Sequence, residues 1–106
     1  MNRINVQERH NSARDLDINW LWNVIRSNYM RYAACWGTHA PKAVTSRILR
    51  FTVQGYLHKG YVYVYCNGLD LMDIVLTTKG GVIKKEINGI YIEDLRETIH
   101  ANVEGT

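Results

Sequence analysis

Apolar residues recur at spacings of three and four from Leu16 to Trp36. Ile18, Leu21, Ile25, Tyr29, Tyr32 and Trp36 line one face, the pattern of an amphipathic helix over 16–36. Asp15 or Asp17 can cap its start and Gly37 its end. Trp20, Trp22 and Val24 widen the stripe, so the helix is covered on more than one side. Residues 37–46, GTHAPKAVTS, read as a loop around the single proline.

Beyond the loop the period changes to two. Leu49, Phe51 and Val53 alternate with Arg50, Thr52 and Gln54, as a half-buried strand requires. A turn around Gly60 leads into Tyr61–Cys66. Asn67-Gly68, whose residues tolerate positive φ, marks a hairpin into Leu71–Thr78. Lys79-Gly80-Gly81 then turns the chain into Val82–Ile87, and Asn88-Gly89 reads as a further turn. Ile92, Leu95, Ile99 and Val103 predict a closing helix over 92–103, with Glu93 and Asp94 at its positive end. The expected fold is α+β, in the order α-β-β-β-β-α. It is a four-stranded antiparallel meander with both helices on one face, leaving the other face open to water or a partner. Residues 15–106 form this domain, and residues 1–14 form a polar arm that frays unless something ties it down.

In the second predicted strand, period two puts Tyr61, Tyr63 and Tyr65 on one side and Val62, Val64 and Cys66 on the other. Valines make a compact layer under helices, whereas phenol hydroxyls want partners or water. Chemistry therefore points the tyrosines outward, but hairpin register leaves both faces open. A two-residue Asn67-Gly68 loop pairs Tyr63 with Met72 and Tyr61 with Ile74, which half-buries the rings. A turn with Gly68 as a bulge pairs Val62 with Met72 and sets the tyrosines beside Leu71, Asp73 and Val75. A slip of one residue exchanges the faces.

Composition and charge narrow the function classes. The chain has 106 residues, 46% hydrophobic and 22% charged, enough for one domain with its own core. Two cysteines, Cys35 and Cys66, lie in apolar segments and suit a reducing, cytoplasmic setting. Arg26, Asn28 and Arg31 break the longest apolar stretch, so no segment suits a membrane span. Net charge is +3, but no acid lies between Asp17 and Asp70, and seven acids against four bases follow from residue 70. A basic half suggests a polyanionic or acidic partner; the alternative is that the two halves attract each other.

No catalytic frame appears. Lys79-Gly80-Gly81 lacks the phosphate-binding loop pattern. His10, His39, His58 and His100 have no neighbours at metal-ligand spacing. Neither cysteine sits in a nucleophile motif, and the carboxylates Asp70, Asp73, Glu93, Asp94 and Glu97 read as a strand entry and a solvated helix face. The expectation is a non-enzyme without cofactor or metal. Its candidate binding residues are Arg47, Arg50, Tyr56, His58, Lys59, Tyr61, Tyr63 and Tyr65. On an open sheet face, these aromatics interleaved with cations could stack on single-stranded nucleic acid, or anchor a protein interface or homodimer.

The run from Phe51 to Leu95 carries Val53-x-Gly55, Lys59-Gly60, Asn67-Gly68-x-Asp70-Leu71 and Gly89-Ile90-Tyr91. It resembles small uncharacterised proteins carried by phages and mobile elements of Bacteroides-type gut bacteria. The resemblance carries over no functional residue. It implies a short accessory product acting by binding, such as an inhibitor of a host defence system, with protein or nucleic acid as target.

Overall fold

The computed structural model describes residues 2–26 and 39–105. Helices α1 (Val6–Ser12) and α2 (Ile18–Arg26) precede five strands: β1 (His39–Thr45), β2 (Ile48–Gln54), β3 (Lys59–Cys66), β4 (Met72–Thr77) and β5 (Ile83–Ile90). A 3₁₀ turn, Ile92–Asp94, then leads into α3 (Leu95–Val103). All neighbouring strands are antiparallel, and the sheet order β1-β2-β3-β4-β5 follows the chain.

The α+β class holds, with five strands rather than four. The extra strand is β1, which lies in the predicted loop. Its register slips between His39↔Thr52 and Lys42↔Arg50, so Ala40 (φ 54°) and Pro41 oppose one residue of β2. Proline is tolerated there because β1 is an edge strand and the bulge asks no ladder bond of it. A second correction concerns Asn88-Gly89. It is a bulge within β5, where Met72↔Ile90 is followed by Ile74↔Ile87, and Gly89 takes φ 73°. The buried Asp73 opposite accepts the Gly89 amide at 3.0 Å and the Asn67 side-chain amide at 2.9 Å.

Helices α2 and α3 cover one face, as expected. Leu21 and Ile25 of α2, and Leu95, Ile99 and Val103 of α3, pack on Leu49, Phe51, Val53, Val62, Val64, Ile74 and Leu76. Trp22 closes the layer with its ring 5.1 Å from that of Phe51. Asp17, not Asp15, caps α2, accepting from the Trp20 amide at 3.1 Å. The predicted continuation of this helix through 27–36 lies outside the described residues.

The turn between β2 and β3 spans 55–58, earlier than the Gly60 placement expected from sequence. Gly60 (φ 145°) instead sits in β3, where a Cβ would overlap the Thr77 carbonyl. Gly55 is as constrained, since a Cβ there would overlap Val103. The turn in fact docks on the end of α3: the amides of Leu57 and His58 both donate to the Val103 carbonyl, at 2.7 and 3.3 Å.

Candidate functional site

The register of β3 decides where the tyrosines go. Cys66 pairs with Met72, Val64 with Ile74 and Tyr63 with Val75. The connecting loop is therefore Asn67–Leu71, longer than either register considered from sequence. Asn67 builds it: its side-chain oxygen accepts the Leu69 and Leu71 amides, and Asp70 takes φ 63°. Parity puts Val62, Val64 and Cys66 under α2 and α3. Tyr61, Tyr63 and Tyr65 accordingly point away from both helices, beside Arg50, Thr52, Asp73, Val75 and Thr77.

On that face the aromatic and basic side chains do meet. The Tyr61 and Tyr63 rings form an edge-to-face pair with centroids 6.2 Å apart. The Arg50 guanidinium lies 4.1 Å from the Tyr61 ring centroid, a cation–π contact. The Nε of Arg50 is buried without a hydrogen-bond partner.

The face is covered, however, and this corrects the expectation of an open one. Residues 2–14 run back across it as a strap. Ala13 packs with Ile48, Tyr63, Tyr65 and Val75, and Ile4 and Val6 join the edge of that cluster. Tyr63 and Tyr65 are left 4% and 3% exposed, while Tyr61 is half-buried. Both ends of the strap are held through the backbone. Near its start, Arg3 bridges Val82, with the Ile4 amide bonding Gly81 O and the Ile83 amide bonding Asn2 O, each at 2.8 Å. At its end the Arg14 amide bonds Cys66 O at 2.8 Å.

Charged side chains fasten the rest. Arg9 donates to the Tyr65 hydroxyl at 3.1 Å and pairs with Glu86. Burial alone would lower the Arg9 pKa, but these two partners prevail and raise it. For Tyr65, burial dominates and raises the phenol pKa against the pull of Arg9. Arg47 pairs with Asp15 at 2.8 Å and donates to the carbonyls of His10 and Ala13, both at 3.3 Å. His10 Nδ1 meets the Thr45 hydroxyl at 2.8 Å, and Arg14 pairs with Asp70 at 3.1 Å.

The eight expected binding residues thus separate into groups. Arg47 holds the strap, Tyr63 and Tyr65 lie beneath it, and Arg50 with Tyr61 stays part-exposed. His58 is buried, and its Nε2–H donates to the Tyr61 carbonyl at 3.2 Å. Burial pushes its pKa below the usual histidine value, keeping the ring neutral near pH 7. Tyr56 and Lys59 remain exposed at the β2–β3 turn. Sequence reasoning missed Leu57 at that turn and Arg9 on the strap. A signal for the strap helix was present: Asn5 followed three residues later by Glu8 is a helix-start pattern, and the Glu8 amide does bond Asn5 Oδ1 at 3.0 Å.

Burial raises the Cys66 thiol pKa, which makes it a poor nucleophile. Among the described residues no group of three or more His, Cys, Asp or Glu could hold a metal, and no helix is long and apolar enough to cross a membrane. Comparison with protein families, curated proteins and solved structures found no match.

Proposed function

We propose that this chain is a non-enzymatic protein-interaction module that meets its partner through the β2–β3 turn. One observation carries the reading: Tyr56 and Leu57 are adjacent, 87% and 61% exposed, and held on a turn clamped to the end of α3. A rigid, exposed aromatic beside an aliphatic side chain, flanked here by Lys59, is the kind of anchor that dominates interface energetics. Pre-ordering by the two amide bonds to Val103 lowers the entropy lost on docking.

The distribution of rings and cations favours a protein over single-stranded nucleic acid. Two of the three strand tyrosines have no free π face for a base, and Arg9, Arg14 and Arg47 each already pair with a carboxylate. The partner is another protein or a second copy. In the setting the resemblance implies, it is a host protein.

The test is affinity purification from the native cell with and without nuclease, alongside light scattering of the purified chain. Wild type should retain one nuclease-resistant partner or form a dimer. Tyr56→Ala combined with Leu57→Ser should weaken that association about thirtyfold, as for loss of an interface anchor. Retention unchanged by the double variant, or abolished by nuclease, would refute the reading.

A further inference from the structure

The strap and the sheet beneath it are joined by different physics from the rest of the molecule. Where α2 and α3 meet the sheet, the contact is apolar and fully buried. Between residues 2 and 14, Ala13 alone is buried, and α1 buries no residue at all. Beside the packing of Ala13, Ile4 and Val6, what holds the strap is two backbone bonds at its start, one at its end, and the ion pairs Arg9–Glu86, Arg14–Asp70 and Arg47–Asp15. Those pairs are partly wet: Glu86 is 37% exposed, Asp15 88%, and the Arg14–Asp70 pair 53% and 75%. Partly solvated pairs weaken as salt shortens the screening length, whereas apolar packing does not. Segments with few buried apolar contacts open locally before the core unfolds.

The face beneath is not suited to permanent burial either. It carries three phenols, two of them almost wholly covered. Lifting the cover lets water reach these groups, which offsets part of what the strap loses on leaving. We propose that residues 2–14 are a releasable strap that detaches as a unit while the sheet and its helices stay folded, exposing Tyr61, Tyr63 and Tyr65. Ionic strength sets the balance between closed and open forms. The inference rests on the bonding of the strap and is independent of the role assigned to the β2–β3 turn.

Hydrogen exchange on the full chain across a salt series tests it. The amides of Ile4 and Arg14, which bond Gly81 and Cys66 across the two contacts, should exchange faster than those of β3. Going from low salt to about 0.5 M should speed them at least tenfold relative to β3. A staple supplies the second arm. Arg3 and Val82 face each other as a non-hydrogen-bonded antiparallel pair, a spacing a disulfide can span. In a chain carrying Arg3→Cys and Val82→Cys, with Cys35→Ser and Cys66→Ala, nitration of Tyr63 and Tyr65 should rise with salt when reduced. It should fall about tenfold when the staple is oxidised. Exchange of Ile4 and Arg14 in step with β3 at every salt concentration, or nitration indifferent to the staple, would overturn the proposal.

Discussion

His58 sits between the sheet and the turn with its ring buried and its Nε2–H committed to a carbonyl. Burial disfavours the imidazolium more than the Tyr61 and Thr77 carbonyls favour it, and nearby Lys84 acts in the same direction as burial. The folded pKa therefore lies below the ordinary 6.5. Between those two values the unfolded chain binds more protons than the folded one. The contribution to stability is complete above the ordinary value and is lost as pH falls through that window. Urea midpoints measured from pH 7.5 to 5 should fall more steeply for wild type than for His58→Gln, whose amide can still donate to the carbonyl. Parallel slopes would remove the assigned cause. At the same scale, the alternation of β3 was legible: side-chain chemistry alone turned the tyrosines from the helices. Their burial was not, because it depends on a segment some fifty residues away in sequence.

Among the elements, β5 shows how local signals mislead. Asn88-Gly89 has the composition of a turn, yet Asp73 on the facing strand accepts the Gly89 amide and converts the pair into a bulge. Nothing within residues 82–92 announces that partner. Asp73→Ala should leave the Asn67 side-chain amide and the Gly89 amide unpaired, at a cost of about 1–3 kcal/mol in denaturant unfolding. Asp73→Asn keeps an oxygen acceptor and should cost less, with the Gly89 amide resonance reporting whether the bond survives. Equal losses in the two variants would mean that the bulge does not rest on this acceptor. Strand β1 was hidden for a related reason: its proline and bulge look like loop chemistry and are acceptable at a sheet edge. The long-period signals of α2 and α3 were legible because each sets a row of apolar residues, Leu21 and Ile25 or Leu95, Ile99 and Val103, on the side the sheet covers. The second cover expected over Trp20 is not there among the described residues, and its side chain is 46% exposed.

Across the molecule, the two covering layers differ in kind. One is an aliphatic core sealed by α2 and α3; the other is a thin strap over tyrosines. Removing buried atoms from the first should be far more damaging. Ile25→Ala, in a fully buried position, should cost about 2–5 kcal/mol, and Val6→Ala on the half-buried strap about 1 kcal/mol or less. Comparable losses in urea unfolding would place the strap among the structural supports of the fold.

Every strand pairs with its neighbour in sequence, so the sheet can grow as the chain is made. Among the described residues the Arg3–Val82 bridge is the exception. During synthesis residues 2–14 leave the ribosome before any of the strands, yet their seat is unfinished until β5 emerges. Until then the strap lacks its anchors at Gly81, Val82 and Glu86, which makes translation the period when a chaperone, or a second chain on the same message, has its best access to the phenol-bearing surface.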